Sequence, residues 1–277
     1  MEENIRIVYK EKGETPLDCI NELKKEDNNL LYLPMTYAGR LDPLAEGVLI
    51  ILIGDMCHKK DEYLNLSKEY EVDVLFGFST DTYDLMGKVI NGIASSGKLF
   101  ERSSDFLAKF FWKLGQTISN SSPDFASKIQ NTLPQFIGKI KQSYPAYSSR
   151  TVGGVPLFKL ARSGKLDEID IPTHDVFVEN IEIINEDFIN GEALLEKIKN
   201  DIGKVSGDFR QKEIVILWED VLKDKKEEKY KIIRLKISCG SGVYVRGIAN
   251  DIGKKLGVPA LALNIVRTKV GEYSIKI

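Results

Sequence analysis

The chain has 277 residues, 43% apolar and 29% charged, enough for a sizeable buried core and typical of an ordinary globular protein. With 39 basic and 41 acidic side chains its formal net charge is -2, so no basic excess advertises a nucleic-acid partner, although one face can be basic while another is acidic. Cys19, Cys57 and Cys239 are odd in number, far apart and without a CxxC pair, which indicates neither a disulfide framework nor a zinc ribbon.

Residues 1–14 are charged and hold no apolar signal core. No apolar run approaches the ~18 residues a membrane span needs. A cytoplasmic protein without a membrane partner is expected, and a monomer, since no interface pattern stands out. Residues 4–10 read as a strand, and 16–25 as a helix with Pro16 suited to an early position. LPMTYAGRLDPLAEGVLIILIG starts as a turn-rich loop and ends as an apolar strand stopped by Gly54. Residues 69–78 alternate as an amphipathic strand, and 79–88 are polar and turn-like. Residues 95–123, rich in Ser, Lys and aromatics, look inserted, and 124–141 read as a helix. Residues 142–162 run from a Pro/Tyr/Ser loop through a Gly-Gly turn into a helix. Residues 175–184 read as a strand, 192–204 as a helix, and 223–231 as a solvated charge run before strand 232–238. A glycine turn, a helix and a final strand or two close the chain. Strands and helices alternate without a regular period, which predicts a mixed α+β fold on a largely antiparallel sheet flanked by helices. No linker divides it, so 1–277 read as one catalytic domain.

Three segments carry chemistry. Asp42 sits between Leu41 and Pro43 at the mouth of the buried strand, and Pro43 restricts its backbone. Gly39 and Gly47 allow sharp turns or close approach of another chain. A carboxylate on a loop anchored to a core strand suits a nucleophile; taken alone, local chemistry favours an ordinary turn aspartate. The second segment, 238–248, fails as a GxGxxG loop because Val245 stands where glycine is needed. It leaves Arg246 in an apolar stretch, either snorkelling to solvent or pairing with a buried carboxylate. The third opens an amphipathic strand at Lys68-Glu69-Tyr70, where Tyr70 reads as a half-buried strand tyrosine, a base-stacking surface or a proton acceptor.

Together these segments resemble the TruB-type tRNA pseudouridine synthases, which modify uridine 55 in the T-loop. GRLDPLAEGVLIILIG looks like the family's catalytic-aspartate motif, and KEYEVDVLFGFSTDTYDLMGKV like the strand and turn after it. QSYPAYSSRTVGGVPLFKLAR, CGSGVYVRGIANDIGKKLG and VRTKVGEY follow in the family's order. The resemblance implies the pseudouridine synthase fold with a central RNA-binding cleft, isomerisation without a cofactor, and the T-arm stem-loop of tRNA as partner. It implies Asp42 as nucleophile, Tyr70 as stacking and general-base tyrosine, and Arg246 as the partner of Asp42. RNA contacts are expected from Tyr37, Arg40, Tyr147, Arg150 and Arg162. A nearby arginine keeps the aspartate ionised, the target nucleotide must be flipped out to be reached, and an aromatic face holds the freed base.

The family usually has His-Thr-Gly before Thr-Leu-Asp-Pro, where this chain has Tyr37-Ala38-Gly39-Arg40, so Tyr37 is the expected stacking substitute. Thr151 stands where a lysine is common, and Arg150 beside it is the expected phosphate contact. Residues 95–123, with Phe110, Phe111 and Trp112, fall where the family grips RNA. The chain ends after the last catalytic motif, so a C-terminal PUA domain is expected to be absent, with weaker or more salt-sensitive tRNA binding. Cys57-His58 is not a ligand spacing, and no metal is expected. Asp208-Phe209-Arg210-Gln211 looks exposed and carries no evident chemistry. Two alternatives stay open: a non-catalytic tRNA folding chaperone, and a synthase acting on another RNA stem-loop.

Overall fold

The structure is a computed structural model that describes residues 4–90 and 125–275. The stretch 95–123, expected to contact RNA, lies outside the described residues.

Local rules account for the first elements. β1 (Ile5–Lys10) precedes α1 (Pro16–Glu26), where Thr15 and Asp18 form a reciprocal capping box and Pro16 opens the helix. β2 (Met35–Ala38) stands where the sequence reads as loop, because so short a strand shows no period. β3 (Ala45–Ile53) is the apolar run. Its Val48, Ile50 and Leu52 join a cluster with Ile5 and Val270, while Leu49, Ile51 and Ile53 join Cys19 and Ile20 of α1. Both faces are therefore covered, which is why the run is continuously apolar.

α2 (Lys60–Leu64) and β4 (Lys68–Phe76) follow, and β5 (Ser79–Thr80) pairs with β6 (Val89–Ile90) across the polar turn. The single helix expected over 124–141 does not form. α3 is Phe125–Thr132, residues 133–136 tighten into a 3-10 turn, and β7 is Gly138–Ser143. Pro134 cannot donate to a helical ladder, and Gly138 sits at φ +90, so the helical period stops there. β8 (Thr151–Val152) and β9 (Val155–Pro156) form the hairpin around Gly153-Gly154 and lead into α4 (Leu157–Arg162). β10 (Thr173–Asn190) outruns the expected strand, its far half being largely exposed. Then come α5 (Gly191–Gly203), α6 (Gln211–Leu222), β11 (Lys229–Cys239), α7 (Val245–Leu256), β12 (Ala260–Val270) and β13 (Tyr273–Ser274).

Among the described residues the main sheet runs β1-β3-β12-β4-β11-β10-β7, with β2 beside β3 and β13 beside β12. Among the described strands only β3 and β12 pair in parallel, so the expected mixed, largely antiparallel α+β architecture is the observed one. Alternation along β4 assigns its faces. Val72, Val74 and Phe76 pack toward α3 and Ile248 and Ile252 of α7, whereas Leu75 packs toward Trp218 and Leu194 of the α5–α6 pair.

The pairing of β3 positions the site. A strand has two edges, and β1 takes one of them over Gly47–Leu52. β2 and β12 must share the other, β2 taking Ile50–Ile53 and β12 taking Ala45–Gly47. The partner changes between them. Gly47, at φ +115, lets the β12 backbone in, since a Cβ there would lie 2.2 Å from the Arg267 carbonyl oxygen. The loop 39–44 leaves β2 and re-enters β3 at this point.

Candidate active site

Asp42 lies on that loop, which is held from several sides. The Asp42 carbonyl accepts from the Ala45 amide at 3.0 Å, and the Pro43 carbonyl accepts from the Gly13 amide at 2.9 Å. Lys10 is fully buried and aims its ammonium at the carbonyls of Ala45 (2.6 Å), Glu11 (3.0 Å) and Pro43 (3.4 Å). Burial pushes its pKa down to about 8. The loop is thus tied to β1 by charge-assisted bonds and to the turn after β1 by a backbone bond, rather than by side-chain packing alone.

Arg246 enters from the first turn of α7. Its Nε donates to Asp42 Oδ2 at 2.8 Å, its Nη1 to the Thr82 carbonyl at 2.7 Å, and its Nη2 to the Tyr147 carbonyl at 3.5 Å. Asp84 Oδ2 lies 3.9 Å from Nε. The Arg246 side chain is 3% exposed and that of Asp42 38% exposed, so the pair has a dry end and a wet end. Of the two readings of Arg246, pairing with a carboxylate is the one the structure shows.

Asp84 was not foreseen. It sits in the polar turn after β5, where aspartates are ordinary, so no local signal marks it. Tyr83 adopts a left-handed φ of +67 there. Asp84 Oδ1 accepts from Thr82 Oγ1 (2.5 Å) and the Met86 amide (2.9 Å), and its carbonyl accepts from Thr80 Oγ1 (2.6 Å). Burial raises the Asp84 carboxyl to about 6, against the opposing pull of Arg246.

Tyr70 on β4 faces Arg267 of β12 in the strand register. Burial raises its phenol above the ordinary value, and Arg267 works against that shift, both by its charge and by a hydrogen bond. Arg267 is itself buried, donating from Nε to the Val48 carbonyl (2.8 Å) and from Nη2 to the Gly39 carbonyl (3.0 Å). Val48 is where β3 changes partner, so the guanidinium satisfies a carbonyl that the ladder leaves open.

These groups line one cleft of about 590 Å³ with Arg40, Tyr147, Phe158, Arg162, Phe209 and Tyr244. Many charged and hydrogen-bonding groups converge on it beside apolar walls, which suits a polar, hydrogen-bonding ligand. The structure brings together six of the eight residues singled out in the sequence: Asp42, Tyr70, Arg246, Arg40, Tyr147 and Arg162. It leaves two outside. Tyr37 is half-buried against the α1 cluster, with the Lys60 ammonium 5.4 Å from its ring, because β2 alternation turns it toward α1. Arg150 lies over Tyr144, 5.1 Å from its ring. The Asp-Phe-Arg-Gln stretch is only partly exposed: Phe209 and Arg210 turn inward to the cleft. Among the described residues no group of His, Cys, Asp and Glu is arranged to hold a metal ion, and no helix is long and apolar enough to cross a membrane.

Comparison with known proteins gives a concordant set of likenesses. The model of the TruB family pseudouridylate synthase N-terminal domain matches residues 33–125 and 113–203, more than half of the chain. A tRNA pseudouridine synthase B of Borrelia garinii is 27% identical over 279 residues, spanning 100% of this chain and 72% of that protein. Proteins of the same name from Ligilactobacillus salivarius and Bacillus pumilus are 29% and 30% identical, covering 97% and 98% of this chain and 67% and 66% of theirs. In a solved Cbf5-Nop10-Gar1 complex, one chain superposes with a TM-score of 0.52 at 15% identity, a likeness of fold; it covers 99% of this chain, which spans 50% of that one.

Proposed function

The chain belongs to the TruB family of pseudouridylate synthases, and from that premise we propose that it isomerises uridine to pseudouridine in tRNA, at the T-loop position 55, with Asp42 as nucleophile. The observation that carries this reading is the Asp42–Arg246 pair: a carboxylate open to the cleft at one end and gripped by a buried guanidinium at the other. The names of the relatives support tRNA as the substrate class.

The reaction breaks the bond from ribose to N1, turns the uracil, and joins C5 to the ribose. The target nucleotide is flipped into the cleft to expose these atoms. Asp42, oriented by its hydrogen bond from Arg246, provides covalent participation that divides one hard step into easier ones. Tyr70 supplies the flat surface on which the freed base turns. Burial raises its pKa and keeps the phenol protonated at rest, so in its second role Tyr70 accepts the C5 proton at Oη only after its own proton has passed to solvent through the cleft. Arg40 and Arg162, exposed at the cleft, meet phosphates of the loop. No step calls for a metal or organic cofactor.

The test is pseudouridine formation in an unmodified tRNA transcript by wild type and Asp42→Asn. Conversion at position 55 by wild type, and a loss of at least about 10³-fold (about 4 kcal/mol) in the near-isosteric variant, is expected. Binding without conversion by both proteins would replace the enzyme with an RNA chaperone, and conversion at another site would move the substrate to a different stem-loop.

A further inference from the structure

β10 and β11 are antiparallel neighbours paired out to Asn190 and Lys229, so a short turn would suffice to join them. Residues 191–228 instead form a helical arm. Leu194, Ile198 and Trp218 anchor it against Phe78, Leu75 and Leu261, and its inter-helix loop reaches the cleft. That loop is well held. The Gln211 side chain donates to the carbonyls of Val205 (3.0 Å) and Gly207 (2.7 Å) and accepts from the Phe209 amide (2.8 Å).

At the end of the loop Arg210 adopts φ +64 and ψ 23, the left-handed region that is strained for a non-glycine residue. Such backbone persists where its surroundings over-determine it. Here Nη1 donates to Asp81 Oδ2 and to Tyr147 Oη, both at 2.7 Å, and Nη2 to Asp81 Oδ1 at 3.3 Å. The guanidinium lies 4.3 Å from the Tyr147 ring centroid.

Two arginines therefore hold the same two segments. From outside, Arg210 takes the side chains of Asp81 and Tyr147. From inside, Arg246 takes the carbonyls of Thr82 and Tyr147 and passes its Nε to Asp42. We propose that Arg210 is a positioning residue for the reaction: by joining Asp81 to Tyr147 it fixes the two carbonyls that orient Arg246, and through Arg246 the carboxylate of Asp42. The proposal rests on the pseudouridine synthase reading. A direct phosphate contact fits the geometry less well, because the fork of Arg210 is already engaged by Asp81 and its side chain is 16% exposed. Arg162, 37% exposed, donates from Nη2 to the Asp208 carbonyl and lies 3.8 Å from the largely solvated Asp208 carboxylate, so more of its fork stays open to a phosphate.

The experiment measures single-turnover conversion of an unmodified tRNA transcript, and tRNA affinity at several salt concentrations, well below every variant's melting midpoint. Wild type, Arg210→Gln, Arg210→Lys, Asp81→Asn and the Gln/Asn double variant are compared. The proposal expects Arg210→Gln and Asp81→Asn to lose a similar factor in rate, roughly 10- to 100-fold, with affinity within about twofold of wild type. It expects the double variant to be no slower than either, since both changes break one clamp. Arg210→Lys, which keeps the charge without the fork, recovers part of the rate. A phosphate role has the opposite signature: Arg210→Gln weakens binding and flattens the salt dependence by about one unit of slope, while Asp81→Asn frees the arginine and leaves binding intact or tighter. That outcome, or an Arg210→Gln variant as fast as wild type, overturns the proposal. Should Arg210→Gln not fold, the near-isosteric Asp81→Asn decides alone by its rate. A wild type that forms no pseudouridine fails the activity itself, which is a different result from an active wild type indifferent to residue 210.

Discussion

Arg246 and Arg267 make an instructive pair. Both come from the last third of the chain, both are buried, at 2% and 1% exposure, and both reach the segment around Asp42. They differ in their partners. Arg267 gives its donors to the carbonyls of Val48 and Gly39 and adjoins the Tyr70 phenol, and it has no carboxylate partner among the described residues. Arg246 gives Nε to the Asp42 carboxylate and has Asp84 nearby. A buried cation must be compensated somewhere. Arg267 is compensated by backbone dipoles at the point where β3 changes partner, which fixes a fold. Arg246 is compensated by a carboxylate that still faces the cleft, which fixes a reactive group. Lys10, whose hydrogen bonds among the described residues go to carbonyls, belongs with Arg267 in this division.

The largest expected effect breaks the reactive member. Arg246→Gln leaves Asp42 and Asp84 without their cation and should slow single-turnover conversion by about 10³-fold, or about 4 kcal/mol, on a protein that still binds tRNA; a rate within tenfold of wild type would show the pair to be ornamental. Arg267→Gln should do the reverse. Urea unfolding is expected to register a loss of about 2–4 kcal/mol as the buried Val48 carbonyl and the partly buried Gly39 carbonyl lose their donor, with a rate loss of no more than roughly tenfold. Equal damage to chemistry from both variants would erase the distinction.

The smallest effect sharpens it through pH. Asp84 holds its proton up to about 6, above the ordinary 3.8. The folded state binds that proton more tightly than the unfolded chain, so the stability this group contributes is complete below about 4 and is lost as pH rises through about 6. Asp84→Asn should therefore flatten the decline in urea-unfolding stability between roughly pH 4 and 7. An unaltered slope would mean that Asp84 is not the titrating neighbour of Arg246.

Much of the framework could be read directly. β1, α1, β3, β4, α5, α7 and the Gly153-Gly154 hairpin carry clear periods, caps or turn residues. The helix expected at 124–141 failed because Pro134 and Gly138 interrupt a pattern that apolar spacing alone continues. α6 and the arm it completes went unread, and so did Asp84, because an aspartate in a polar turn looks like any other. Tyr37 illustrates the converse: its type suited stacking on RNA, and strand alternation turned it toward α1 instead.

What the sequence by itself determined is local: where strands and helices start and stop, that Asp42 stands on a stiff loop before a buried strand, and that Arg246 lies in an apolar stretch needing a partner. These follow from backbone preferences and side-chain periods that act within a few residues. The tertiary structure alone decided which groups meet. Arg246 reaches Asp42 across 204 residues and Thr82 across 164, and Arg210 reaches Asp81 across 129 and Tyr147 across 63. No local preference encodes such separations. They are set when one sheet, with helices packed on both faces, settles the strand order and so brings distant loops to a common edge.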